Sequence, residues 1–278
     1  LADSETVMQE LMDYRFSTNG QLDGHSFGNI LIAALASIGG DFYKGVEIAG
    51  QLLAIRGKVI PSTTTNVTLV ASTVSGQRLV GESRVGASSE DLRMVALFPP
   101  DAPAHPDAQK AIEEADLIIL GPGSLFTSIV PNLLVRDIAR SVANASGLKM
   151  YVCNVAGEAG ESAGFSLRDH VDVIRYYAGD YSVDMVIANN NLIEDIPDTI
   201  TLIDPGQAWQ DPAVLILADI IDENSPTHHE PKKLAETITQ TYRQHRGKRR
   251  RLPLLWHNVQ TPVQFNGGEP VGANHQSH

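Results

Sequence analysis

Asp116-Leu117-Ile118-Ile119-Leu120-Gly121-Pro122-Gly123-Ser124 is the stretch on which the fold turns. Four apolar residues follow an aspartate without polar alternation, the pattern of a strand buried on both faces. A Gly-Pro-Gly-Ser turn then breaks the run ahead of a helical pattern. The same design recurs downstream. Lys149-Met150-Tyr151-Val152-Cys153 ends at Asn154, and Asp184 to Ala188 ends at Asn189-Asn190-Asn191. Between those two runs, Ser166-Leu167-Arg168-Asp169 fits a helix capping box. Val214 to Ile220 reads as one more strand and Pro231 to Gln244 as a late helix. Strand alternating with helix predicts an α/β protein with a mainly parallel sheet covered on both faces. Right-handed crossovers then bring the strand ends to one edge.

Upstream the pattern changes. Ser4 followed by Met8, Leu11 and Met12 predicts a capped amphipathic helix. After the polar stretch 17–20, Phe27 to Ile38 is an almost wholly apolar helix, which belongs in an interior. Gly39-Gly40 supplies its C-cap and Asp41 caps a further helix towards Ile55. Pro61 and Thr63-Thr64-Thr65 connect to an inserted β-hairpin, Val67 to Val74 and Gln77 to Ser83, that turns at Ser75-Gly76. Arg93 to Phe98 is a further strand. One domain is expected over residues 1–247. Residues 248–278, which open with Lys248-Arg249-Arg250-Arg251 and continue rich in Pro, Gly, Asn and Gln, are expected to be a basic and then polar tail.

A chain of 278 residues, 42% hydrophobic and 19% charged, has enough apolar side chains for a packed core. The formal net charge of −12 argues against nucleic acid or an anionic membrane as the main partner, so an anionic ligand needs local donors. The one cysteine, Cys153, has no disulfide partner in the chain, suits a reducing cytoplasm and reads as a buried strand residue. No apolar run approaches the ~20 residues of a membrane span, and Leu1-Ala2-Asp3-Ser4-Glu5 does not open as a signal peptide.

Ligands of parallel α/β sheets bind beyond the carboxyl ends of the strands. Three such ends carry small or amide residues here: Gly121 to Ser128, Asn154 and Asn189. The first is the strongest signal. Its glycines permit close backbone approach, its hydroxyls precede a helix, and N–H groups at a helix start attract an anion. It is neither a Walker loop nor a Gly-x-Gly-x-x-Gly turn, and an ordinary capped strand-to-helix turn is the competing reading. A second glycine turn, Gly24-His25-Ser26-Phe27-Gly28-Asn29, precedes the apolar helix. There His25 is a donor, an acid or base, or a capping residue. His228-His229-Glu230 lacks a spaced third ligand, so no metal site is expected.

Tyr14-Arg15-Phe16, Gly24 to Asn29, Gly57-Lys58-Val59-Ile60-Pro61 and the long tract Gly121 to Leu134 (Gly-Pro-Gly-Ser-Leu-Phe-Thr-Ser-Ile-Val-Pro-Asn-Leu-Leu) resemble the gluconeogenesis-factor family. That family is related to 2-phospho-L-lactate transferase. The resemblance implies a Rossmann-like three-layer fold in a cytoplasmic protein. It implies binding of UDP-sugars and roles in cell shape, wall synthesis and gluconeogenic growth. The transferase relatives imply an alternative, transfer of a phospholactyl group from a nucleotide-activated donor with Mg²⁺; otherwise no cofactor is expected. On this reading Gly121, Gly123, Ser124, Thr127 and Ser128, with Asn132 beside them, hold phosphate oxygens. Gly24, His25, Gly28 and Asn29 line the opposite wall, and Asn154 and Asn189 read base or sugar hydroxyls. Homo-oligomerisation stays open. Two departures stand out. A Gly-Gly-Gly-Thr-Gly turn and an Asp-Asp-Gly-Gly-Ser-Ser-Gly segment of the family are not in this chain, so half a site and an open sheet edge are expected. Where the family reads Asn-x-Met-Thr-Gln-Pro-Gly-Glu-Thr, this chain has Gly157 and Glu158 at the Thr and Gln positions, which adds negative charge.

Overall fold

The computed structural model describes residues 2–246 apart from 18, 19, 21, 194, 195, 198, 207 and 208; the tail expected at 248–278 lies outside them. Two compact units form, the first over Leu1–Thr64 and the second from Thr65 onward.

The first unit is helical: α1 (Ala2–Asp13), α2 (Phe27–Gly39) and α3 (Phe42–Leu52). Ser26 caps α2 by accepting from the Asn29 N–H at 3.2 Å, and Gly40 closes it in the left-handed region. Asp41 caps α3 through the Lys44 N–H at 2.7 Å. The caps at Gly40 and Asp41 are those expected from sequence; at the start of α2 the cap is Ser26 and not His25. Two expectations are corrected. Helix α1 begins at Ala2, so Ser4 lies inside it and not ahead of it. The apolar α2 is not interior: only Gly28 is buried, and Ile38 is 77% exposed. Helix α2 packs tightly against α3, where Gly45 meets Ala36 so closely that a Cβ would lie 2.4 Å from the Ala36 nitrogen. A unit of three helices covers one side of such a helix and cannot surround it.

The second unit carries two sheets. Strands β1 (Thr68–Thr73), β2 (Arg78–Val80) and β3 (Leu92–Phe98) form an antiparallel sheet in the order β2-β1-β3, with the short helix α4 (Glu82–Gly86) after β2. This contains the expected hairpin. After α5 (Pro106–Glu114) comes the main sheet: β4 (Leu117–Leu120), β5 (Leu148–Val152), β6 (Met185–Asn189) and β7 (Val214–Ala218). All three pairings are parallel, in the order β4-β5-β6-β7, as the alternation of strand and helix predicts.

Every residue of β6 is buried, so both faces are covered there, whereas Ile119 of β4 and Val214 and Leu217 of β7 are exposed, which corrects the expected two-sided cover at the outer strands. On one face Met150, Val152, Met185 and Ile187 form a core with Leu234, Ile238 and Tyr242 of α9 (Pro231–His245). Tyr151 and Val186 alternate to the other face and are equally buried. Helix α7 (Arg136–Asn144) packs on α5 and on α8 (Leu167–Ala178), and α6 (Val130–Leu133) joins them. The predicted capping box forms: Ser166 Oγ accepts from the Asp169 N–H at 3.2 Å, and the Asp169 carboxylate accepts from the Ser166 N–H at 2.8 Å. Asp211, whose side chain is fully buried, joins the start of β7 to α8. It accepts from the Ala213 N–H at 2.7 Å and from both Arg175 terminal nitrogens, one of them at 2.7 Å. None of the helices among the described residues is long and apolar enough to cross a membrane.

Candidate functional site

The parallel order brings the carboxyl ends of β4, β5 and β6 side by side. β4 leads into Gly121, whose φ of +84° and approach to Val152 exclude a side chain: a Cβ would lie 2.8 Å from the Val152 carbonyl oxygen. The peptide before Pro122 is cis. The chain then enters a π-helical turn, Leu125–Ile129, continuous with α6, where the sequence pattern suggested a regular helix.

Asn154, just past β5, holds this turn by both ends of its amide. Its Oδ1 accepts from the Gly123 N–H at 3.2 Å and its Nδ2 donates to the Gly123 carbonyl at 3.2 Å. Nδ2 also donates to Glu158 Oε1 at 2.8 Å. The Ser124 side chain lies beside the same Glu158 carboxylate. Burial pushes the Glu158 carboxyl above its ordinary value; the Ser124 side chain pulls it down, and nearby Glu161 adds to the upward push.

Glu161 is the residue that sequence reasoning did not assign. The residue is 6% exposed, and its carboxylate sits at the start of the helical stretch 125–133. Oε2 accepts from the Phe126 N–H at 2.9 Å and the Thr127 N–H at 3.2 Å, and Oε1 accepts from the Thr127 hydroxyl at 2.5 Å. A carboxylate therefore takes the seat at which an anion was expected. Gly160, before it, has φ +81° and lies where a Cβ would meet the Ser88 carbonyl oxygen at 1.9 Å, so the loop is pressed onto the end of α4. Glu158 O closes the loop from the other side by accepting from the Glu161 and Ser162 N–H groups. Glu161 falls at the glutamate of the family's Pro-Gly-Glu-Thr pattern, but nothing in that pattern tells that its carboxylate reaches a turn 34 and 35 residues earlier in the chain.

The structure thus joins Gly123, Thr127 and Asn154 through Glu158 and Glu161 in one hydrogen-bonded cluster, with Gly121 and Ser124 on the same turn. Ser128 is exposed, and its carbonyl accepts from Asn132 Nδ2 at 2.7 Å. Asn189 is buried and occupied: its Oδ1 accepts from the Ile220 N–H at 3.2 Å and its Nδ2 donates to the Asn191 carbonyl at 2.8 Å, tying β6 to the exit of β7. Gly24, His25, Gly28 and Asn29 belong to the first unit. Gly28 is buried where a Cβ would sit 2.9 Å from the Met12 carbonyl oxygen, while His25 and Asn29 are exposed. His229 reaches the sheet edge, its Nε2 lying 3.1 Å from the Cys153 carbonyl oxygen; burial pushes its pKa down. The buried Cys153 thiol is pushed up to about 12, which fits an inert strand cysteine. No three His, Cys, Asp or Glu side chains gather as a metal site among the described residues, so this donor set does not by itself fit a resident Mg²⁺.

Taken together, a parallel α/β sheet with a glycine turn beyond its β4 strand, pinned by the amide beyond β5, places the fold in the Rossmann-like class. The chain belongs to the 2-phospho-L-lactate transferase CofD family, whose profile matches residues 1–200. It is similar to the gluconeogenesis factor of Bacillus subtilis (strain 168), 39% identical over 200 residues, which are 72% of this chain and 62% of that protein. It is also similar to the gluconeogenesis factor of Halalkalibacterium halodurans, 35% identical over 195 residues, 70% of this chain and 61% of that one. The chain therefore spans less than two thirds of these two relatives. A crystal structure of a Bacillus halodurans member of the upf0052 family superposes with a TM-score of 0.73 at 31% identity, covering 84% of this chain and 78% of that one.

Proposed function

We propose that the protein binds a nucleotide sugar, most simply a UDP-sugar, beyond the carboxyl ends of β4 and β5, and acts as a cytoplasmic regulator linked to cell shape, wall synthesis and gluconeogenic growth. The observation that carries this reading is the paired bond between the Gly123 backbone and the Asn154 side chain. It joins the glycine turn and an amide at adjacent parallel strand ends, where open α/β sheets take their ligands. The likeness to proteins named gluconeogenesis factor supports the link to gluconeogenic growth. Calorimetric titration of UDP-N-acetylglucosamine into the wild type and a Ser124→Ala variant tests it. Affinity should fall in the variant; unchanged affinity removes this turn from the binding site.

A second reading follows from the name of the family profile: transfer of a phospholactyl group from a nucleotide-activated donor with Mg²⁺. In that reading the chain's part is positioning the donor at the strand ends, and charge neutralisation would be supplied by a metal that these residues do not themselves hold. Turnover of such a donor by the full-length protein would favour the transferase, and binding of a UDP-sugar without turnover favours the regulator.

A further inference from the structure

The turn beyond β4 has the outline of a phosphate seat, yet its protons are already committed. The Gly123 N–H goes to Asn154, and the Phe126 and Thr127 N–H groups and the Thr127 hydroxyl go to Glu161. The Asn154 amide protons are spent on the Gly123 carbonyl and on Glu158. Neither glutamate has a cationic partner among the described residues. Glu161 is held nearly out of solvent by a glycine loop that admits no side chain at position 160. A carboxylate on two backbone N–H groups and a hydroxyl at a helix start is chemically what a phosphate would be there.

We propose that Glu161 is a built-in anion that positions the turn and closes the helix start to phosphate, and that Glu158 beside it sets specificity, so that the turn meets the hydroxyl-bearing sugar of the ligand and not its diphosphate. The part concerning the sugar rests on the nucleotide-sugar reading above; the part concerning the seat does not. The remaining lone pairs on Ser124, Thr127 and the two carboxylates accept hydrogen bonds from sugar hydroxyls. A phosphate brought to the same place meets two negative charges, and the N–H groups of Gly123, Phe126 and Thr127 there are already bonded.

Anion rescue tests the seat without any nucleotide. Wild type and Glu161→Ala are melted in chloride and in inorganic phosphate or formate at equal ionic strength. The variant should melt lower and should regain several degrees more in phosphate or formate than the wild type does, because the small anion takes the vacated donors. An equal response of the two proteins overturns the seat. Should Glu161→Ala fail to fold in chloride, recovery of folded protein only in the anion buffer counts as rescue, and failure in both buffers counts against it. For specificity, UDP and UDP-N-acetylglucosamine are titrated into the wild type and Glu158→Gln. Removing one nearby charge should improve UDP binding about tenfold relative to the sugar nucleotide. An unchanged ratio overturns the role of Glu158. If neither nucleotide binds either protein, the nucleotide-sugar reading fails along with the sugar half of the proposal, while the melting experiment still decides the seat.

Discussion

Replacing Asn154 by aspartate changes one NH2 group to an oxygen with almost no change of shape, and the geometry around it sets the cost. Nδ2 now lies 2.8 Å from Glu158 Oε1 and 3.2 Å from the Gly123 carbonyl, and donates to both. In Asn154→Asp the donor becomes an acceptor facing two acceptors. Two ionised carboxylates with charge centres about 4 Å apart repel by about 4 kcal/mol at an effective dielectric of 20. Rotation of the side chains and entry of water relieve part of this, so a loss of about 3 kcal/mol is expected at pH 8. One proton shared between the carboxylates restores the bond. The folded pair binds that proton more tightly than the unfolded chain does. The penalty relative to wild type is therefore small at low pH and grows as pH rises through the titration of the pair. Urea unfolding of wild type and variant at pH 5 and pH 8 measures it. The difference between the two proteins should be larger at pH 8 by at least about 1.5 kcal/mol. Equal differences at the two pH values would refute the bond between Asn154 and Glu158.

Two further outcomes follow from the core. His170 is wholly buried, its Nδ1 bonded to the Ser166 carbonyl at 2.9 Å, and burial lowers its pKa. The unfolded chain takes up a proton below about pH 6.5 and the folded one does so only at lower pH. Stability should thus fall by up to about 1.4 kcal/mol per pH unit below that point, and more gently in His170→Leu; identical pH slopes would remove His170 as the cause. Asp211→Ala strips the partner from Arg175, whose side chain is only 11% exposed, and should cost about 3–5 kcal/mol in urea unfolding. Adding Arg175→Met to it should recover part of that loss, and a double variant no better than the single one would contradict an uncompensated charge as the source.

How far these features can be read from the sequence depends on how local their causes are. The parallel strands announce themselves as bare apolar runs, as in Leu117–Leu120 and residues 185–188, but the run does not tell an edge from the middle: β6 is buried throughout, while Ile119 of β4 and Val214 and Leu217 of β7 are exposed. The caps at Asp41 and Ser166 are equally local, since each side chain bonds a backbone N–H three residues on. Helix α2 misleads because apolarity all round implies a buried helix but does not create the layers that would bury it. At the site, Gly121, Gly123 and Asn154 were legible as strand-end residues. Glu161 was not: it reaches the turn from 34 and 35 residues away, by way of a glycine contact with Ser88 that no periodicity encodes. The same long reach explains His229, read as a loop histidine and found 3.1 Å from the Cys153 carbonyl oxygen.

The most direct test is calorimetric titration of UDP-N-acetylglucosamine into the full-length protein, with and without Mg²⁺. Saturable one-to-one binding that weakens in the Ser124→Ala variant is the predicted result. A folded protein that takes up no heat from the nucleotide sugar under either condition would contradict nucleotide-sugar binding at these strand ends.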